Sequence, residues 1–377
     1  MFQGDQGGTM SPMDLLSTRI DLDAIAHNTR LLKELVGDTQ LMAVVKADGY
    51  GHGAGRVAEV MAANGADCFG VATLSEAVQL REGGVSKPIL AWIWNPEQDL
   101  AEALALRIQL GVPSLRHAQA LVDAAVPARV TVKVDTGLHR SGVDEADWAE
   151  VFALLRDAEH LTVTGLFSHL ACADEPEHPA NDEQGATFQR AIDLAREMGL
   201  EVPVNHLCNS PGTLTRPDLH HQLVRVGLSL YGLEPIAGLD HGLRPAMSWI
   251  GRITVVKPVR PGESTSYGHT WTAAEPGWLA VVPAGYADGV PRAWQGTLQV
   301  GIGGKLYPQV GRVCMDQIVV DLGANEFGVA PGDEAVLFGE GGMSADELAA
   351  ATGTINYEIV CTPSGRTTRT YEGGVQL

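Results

Sequence analysis

Cysteine is scarce in this chain: Cys68, Cys172, Cys208, Cys314 and Cys361 are the only five, and none forms a Cys-x-x-Cys pair. An odd, widely spaced set argues against a disulfide framework and against structural zinc, and fits a reducing cytoplasm. His169, Cys172 and Asp174 cluster, as do His206 and Cys208, but neither group has a four-ligand spacing, so no metal is expected. Long apolar runs are missing too, which leaves no candidate membrane span. Positive charge is in short supply: 26 Lys and Arg face 46 Asp and Glu, a formal net charge of −20. That balance disfavours nucleic acid or anionic membranes as partners, although local basic residues can still line a pocket for a small anion. Residues 1–17, with Gly4, Gly7 and Gly8, read as a flexible leader without the basic start or apolar centre of a signal peptide.

What is present is a soluble globular composition, 45% hydrophobic and 19% charged, over 377 residues, which suggests two domains. Short apolar runs alternate with amphipathic stretches from Leu41 to about Gly227. The runs are Leu41–Lys46, Cys68–Ala72, Pro88–Ile93, Ile108–Val112, Arg129–Asp135, Thr162–Phe167, Pro203–Cys208 and Gln222–Val226, eight in all. Between them, Thr73-Leu74-Ser75-Glu76 is a capping box whose helix ends at Gly83-Gly84. Ser114 is placed to cap Leu115–Ala125, and Pro96 suits the first turn of Glu97–Leu106. Eight strands alternating with helices read as α/β, a (β/α)8 barrel over residues 18–248, with an open doubly wound sheet as the rival. After Trp249, β-branched segments and Pro-Gly turns take over, with one clear helix, Ala345–Ala351, opened by Ser344. Residues 249–377 are therefore expected to form a mostly β domain, and the surplus strand Thr18–Leu22 to pair with it.

Barrel enzymes keep their chemistry where the carboxyl ends of the strands meet. Lys46 ends the first run, Asp135 and Arg140 follow the fifth, and His169 follows the sixth. Asn209 and Ser210 follow the seventh, and Arg225 lies within the eighth. A lysine at the mouth of a buried strand is partly desolvated, which favours a nucleophilic amine, and Gly49, Gly51 and Gly53 let backbone approach a ligand. Together these suit a Schiff-base lysine with a phosphate-bearing cofactor. The same stretch also supports another reading. Gly49-x-Gly51-x-x-Ala54, with Asp67 eighteen residues after Gly49, resembles a dinucleotide fingerprint, as in an NAD-dependent dehydrogenase. That reading leaves Arg225 unexplained: a guanidinium in an apolar strand needs partners, for which His169 and a ligand acceptor are the candidates.

Several separate motifs then resemble the bacterial alanine racemases, over essentially Thr18 to Tyr371. They include Ala43-Val44-Val45-Lys46-Ala47-Asp48-Gly49-Tyr50-Gly51-His52-Gly53, Lys133-Val134-Asp135-Thr136-Gly137 with Arg140, Asn209-Ser210 and Arg225-Val226-Gly227. Ser266-Tyr267-Gly268, Gly285-Tyr286-Ala287-Asp288-Gly289, Gly311-Arg312-Val313-Cys314-Met315-Asp316-Gln317 and Ile355-Asn356-Tyr357-Glu358 continue the set. The resemblance implies a pyridoxal 5'-phosphate enzyme that interconverts L- and D-alanine, supplies D-alanine for peptidoglycan, and works in the cytoplasm as a homodimer. It implies that Lys46 carries the cofactor and serves as one acid/base, and that Tyr267 from the partner subunit is the opposing one. Arg225 would face the pyridine nitrogen, with His169 supporting it, and Arg140 would contact the cofactor's phenolic oxygen and the substrate carboxylate. Tyr50, Tyr357, Asn209, Ser210, Gly227 and Leu228 would bind the cofactor, most of them at its phosphate. Met315 would shape the partner's substrate pocket, and Lys133 would be a site of carbamylation. Leu138-His139 and Thr367-Thr368 depart from the commoner family pattern beside this set. A decarboxylase of the same fold is the alternative within the cofactor class. A smaller cofactor-binding barrel without catalysis is another, and Tyr267 and Met315 count against it.

Overall fold

Leu41 to Val44 are buried, and their strand, Gln40–Val44, is internal to a parallel sheet, with Cys68–Thr73 on one side and Leu223–Val226 on the other. The computed structural model describes residues 14–374. These fall into two compact units: residues 25–49 and 53–244 in one, and residues 14–24, 50–52 and 245–374 in the other.

In the first unit a parallel sheet runs in the order Leu161–Phe167, Ala128–Lys133, Gln109–Val112, Ile89–Ile93, Cys68–Thr73, Gln40–Val44, Leu223–Val226. Neighbours follow chain order without the reversal that defines a doubly wound sheet, so that rival is set aside. The expected seventh strand, Pro203–Cys208, does not take regular strand form, yet it fills the gap between the two outer strands. On one side the amides of Val204 and His206 donate to the carbonyls of Thr164 and Leu166, both at 3.0 Å. On the other, the amides of Gln222 and Arg225 donate to Asn205 and Cys208 carbonyls at 3.2 and 3.0 Å. The ladder thus closes into a barrel with one irregular stave. Gly165 admits this stave, since a β-carbon there would stand 1.7 Å from the Val204 carbonyl oxygen. Backbone meets backbone there, at a spacing only glycine permits.

The helices follow their caps. Thr73 and Glu76 form the complete box opening Leu74–Glu82, and the Ser114 hydroxyl accepts from His117 N–H to open Leu115–Ala124. The helix expected over Glu97–Leu106 is shorter, Ala101–Ala105. Asn95 and Asp99 side chains accept amides two residues on, of Glu97 and Ala101, and hold the preceding residues in turns instead.

The second unit is built on a nine-stranded sheet. Leu16–Asp21 pairs antiparallel with Met247–Arg252 and parallel with Thr368–Glu372. This strand starts two residues before Thr18, and Leu22 already opens the helix Leu22–Val36. Of the leader expected over residues 1–17, residues 1–13 lie outside the described residues. The Ser344 cap opens Ala345–Thr352, and a second short helix, Asn356–Cys361, follows that periodicity did not reveal. Among the described residues no helix is long and apolar enough to cross a membrane.

Candidate active site

Strand Gln40–Val44 delivers Lys46, half-buried, to the carboxyl end of the barrel sheet. The chain then makes a left-handed turn: Ala47, Asp48 and Tyr50 all have φ of 52° and Gly49 has 64°. Left-handed backbone costs about 1–2 kcal/mol for each residue with a side chain. Hydrogen bonds hold it: Gly49 N–H to the Val45 carbonyl at 2.9 Å, and Ala54 N–H to Asp48 Oδ1 at 2.8 Å. Glu76 contributes from the next strand-to-helix junction. One of its oxygens closes the capping box, and the other accepts from Ala47 N–H at 2.8 Å. The box was legible in the sequence; the reach to Ala47 was not, because local spacing carries no sign of it.

Arg225 is buried in strand Leu223–Val226, and its partners are all neutral. Nη1 donates to His206 Nδ1 at 3.0 Å and to the His206 carbonyl at 2.9 Å. Nη2 donates to the carbonyls of Ser168 at 2.6 Å and Leu207 at 2.9 Å, and reaches His169 Nδ1 at 3.4 Å. All these bonds use the two terminal nitrogens; the Nε–H donates to no described residue. With no carboxylate beside it, burial lowers the Arg225 pKa to about 10, which still leaves it cationic at neutral pH. The expected His169 is thus within reach of Arg225, and His206, which the sequence did not suggest as a partner, brings the nearer ring nitrogen. The irregular stave Pro203–Cys208 puts it there.

A guanidinium can only donate, so His206 and His169 must both accept through Nδ1 and remain neutral. Burial, and then the Arg225 charge, hold both rings well below the ordinary histidine range. Their folded pKa values thus lie below the unfolded ones, so stability is full above about pH 6.5 and is lost as pH falls. Each ring takes about 1.4 kcal/mol per pH unit below that point while it stays unprotonated. Urea midpoints should fall from pH 7 to pH 5.5 in the parent, and less steeply in His206→Gln. Equal slopes would show that His206 is not the source.

Lys133 and Arg140 stand on the next polar strand end. The Lys133 ammonium donates to the Ser141 hydroxyl and lies 6.0 Å from the Phe167 ring centre. Burial, then the charges of Arg140 and Arg225, bring its pKa down to about 8. Arg140 is exposed, at the end of a turn in which Asp135 Oδ1 accepts from Gly137 and His139 N–H at 3.0 and 3.1 Å. The His169 ring feels the charges of Arg225, Arg140, Lys133 and Lys46, so one rim carries all four cations. Nearby, the Ser210 hydroxyl accepts from Gly227 N–H at 3.0 Å, and Asn209 caps Ser210–Thr215 through Gly212 N–H. Leu228 follows directly and is fully buried.

The remaining expected residues belong to the other unit. Tyr50 and Tyr357 have ring centres 6.3 Å apart. Burial, followed by Tyr357 and Cys361, raises the Tyr50 pKa above the ordinary phenol range, so its hydroxyl keeps a proton to donate. Tyr267 opens the short 3-10 turn Tyr267–His269 and Met315 sits on a loop, and they are 72% and 52% exposed, unusually bare for large apolar side chains.

Residues 20–235 match the family model "Alanine racemase, N-terminal domain", and residues 246–371 match "Alanine racemase, C-terminal domain". The chain is 68% identical over 364 residues to the alanine racemase of Corynebacterium efficiens, covering 96% of this chain and 99% of that one. The crystal structure of alanine racemase from Corynebacterium glutamicum superposes with a TM-score of 0.88 at 55% identity, over 96% of this chain and 100% of that one. Alanine racemase from Streptomyces coelicolor A3(2) gives a TM-score of 0.92 at 42% identity, over 96% and 98%.

Proposed function

The chain belongs to the alanine racemase family, and from that premise we propose that it racemises alanine with pyridoxal phosphate by a two-base mechanism. The observation that carries the cofactor reading is the Arg225 shell: a buried cation bonded only to neutral acceptors, with Nε–H bonded to no described residue. Such a donor suits an unprotonated ring nitrogen and does not suit a pyridinium, which would need a carboxylate. Lys46 would hold the cofactor covalently, Tyr50, Tyr357, Ser210, Asn209 and the Gly227 and Leu228 amides would receive its phosphate end, and His169 would stand behind Arg225. When bound, pyridoxal phosphate supplies an electron sink that acidifies the α C–H bond of an amino acid joined to it.

The residues of the chain do the rest. Arg140 orients the substrate carboxylate. Lys46 takes or returns the α-proton on one face, and Tyr267 does so on the other. The exposure of Tyr267 and Met315 supports their use by a second copy of the chain, so that a homodimer completes each site. Arg225 disfavours a decarboxylase, whose stronger electron sink calls for an acidic partner. D-Alanine for peptidoglycan and a cytoplasmic setting follow from the same reading.

The test is direct: with L- or D-alanine in deuterated buffer, chirality should be lost while the α-position takes up deuterium. Carbon dioxide release instead would favour the decarboxylase. Lys133 is proposed as a carbamylation site, since an amine with a pKa near 8 is partly unprotonated at neutral pH and a carbamate would neutralise Arg140. Native mass spectrometry in bicarbonate should show a mass increase lost in Lys133→Arg; an unmodified parent would end that idea.

A further inference from the structure

Asp288 is the one carboxylate among the described residues that is fully buried, and it is held by a residue close to the C-terminus of the chain. Arg366 grips it with two parallel bonds, Nε to Oδ1 and Nη2 to Oδ2, both at 2.7 Å. The remaining terminal nitrogen, Nη1, donates to Asp316 Oδ1 at 2.7 Å. One guanidinium therefore spans two loops, 285–289 and 312–316. The backbones of the three loops touch. Tyr286 and Ala287 N–H donate to the Cys314 and Met315 carbonyls, both at 3.0 Å, and Ser364 N–H donates to the Asp288 carbonyl at 2.9 Å. A β-carbon at Gly285 would lie 2.3 Å from the Met315 carbonyl oxygen, and one at Gly365 would lie 2.1 Å from that of Ala287.

The middle loop in turn holds Tyr267. The Ser266 hydroxyl donates to the Arg312 carbonyl at 2.6 Å, and a β-carbon at Gly311 would lie 2.7 Å from Ser266 Cβ. Ser266 itself has φ of 63°, a left-handed value that a residue with a side chain keeps only when its surroundings impose it. Tyr267, 72% exposed, has little packing of its own to fix its direction. Its aim depends on Ser266, Ser266 depends on loop 311–316, and that loop is tied to Asp288 through Arg366 and Asp316.

We infer that Arg366 is a positioning residue for the reaction: by bridging Asp288 and Asp316 it holds loop 312–316 so that Ser266 aims Tyr267. This rests on the reading of Tyr267 as one of the two bases. The effect is assigned chiefly to kcat, because the bonds of Arg366 run to Asp288 and Asp316 and to neither Lys46 nor Arg140, while Met315 on the same loop adds a smaller effect on KM.

The experiment is a double-mutant cycle on the holoenzyme: Arg366→Gln and Asp316→Asn, each made in the parent and in Tyr267→Phe. A displaced catalytic group costs about 10²-fold when it moves by roughly 1 Å. In the parent, kcat should fall about 10- to 100-fold for Arg366→Gln and less for Asp316→Asn, with KM for alanine within about twofold. In Tyr267→Phe, neither substitution should lower the residual rate further. Arg366→Lys should recover only part of the loss, since an ammonium cannot make the paired bonds. Asp316→Asn leaves the buried Arg366–Asp288 pair intact and so keeps the test usable if Arg366→Gln does not fold. Equal losses in both backgrounds, or a rise in KM without a fall in kcat, would overturn the inference. Full turnover in Tyr267→Phe alone would instead overturn the two-base reading beneath it, and the single variant shows that separately.

Discussion

Lys46→Ala should abolish racemisation from both enantiomers, with turnover down by at least about 10⁴-fold. Two losses coincide in that substitution. The covalent tether for the cofactor goes, and so does one of the two groups that exchange a proton with the α-carbon. A general acid/base alone is worth about 10²–10⁴-fold, so a loss at the top of that range is the floor. Deuterium uptake at the α-position should vanish together with the change in chirality, because both need proton removal. Small primary amines added to the variant should return part of the activity, since they replace the missing function and not its position. Folding should be unaffected: Lys46 is half-buried, and the left-handed turn after it is held by Val45, Asp48 and Glu76. Racemisation persisting in Lys46→Ala at near the parent rate would remove the central residue of the proposal.

Arg225→Glu should change the kind of product as well as the rate. A carboxylate in that position would favour a protonated pyridine nitrogen and a stronger electron sink. Racemisation should drop by roughly 10²–10³-fold, while the share of turnovers that end in pyruvate, with the amino group passing to the cofactor, rises. The partition ratio, pyruvate formed per racemisation event, is the informative quantity because it does not depend on how much protein is folded. Some protein will be lost. The new carboxylate would face the carbonyls of Ser168, His206 and Leu207, which now accept from a guanidinium. An uncompensated buried charge of this kind costs about 3–5 kcal/mol, so urea midpoints should fall as well. An unchanged partition ratio would mean that Arg225 tunes stability and not the chemistry.

Much of this site was legible before any coordinates. Lys46 announces itself at the end of an apolar run with glycines behind it, and Arg225 does so by being a cation in an apolar strand. Residues whose roles depend on long-range partners were not. Asp288 reads as an ordinary loop acid next to Gly289, and only Arg366, 78 residues later, makes its burial intelligible. His206 sat beside Cys208 as a weak metal suggestion, whereas its ring accepts from Arg225. The helix expected over Glu97–Leu106 was lost to side chains that satisfy amides locally, a competition that apolar spacing does not register.

Periodicity, caps and the order of the strand-end residues were enough, from the sequence by itself, to specify a parallel α/β unit followed by a β-rich one and to mark Lys46, Arg140 and Arg225 as candidates, while Tyr267 was marked only by the family resemblance. These signals are local: burial of alternate faces and the chemistry of single side chains are written within a few residues of where they act. Closure of the barrel through Pro203–Cys208, the neutral shell around Arg225, and the three-loop anchor under Tyr267 were decided by tertiary structure alone. Each depends on backbone groups brought together across tens of residues, and a backbone carbonyl is the same in every sequence.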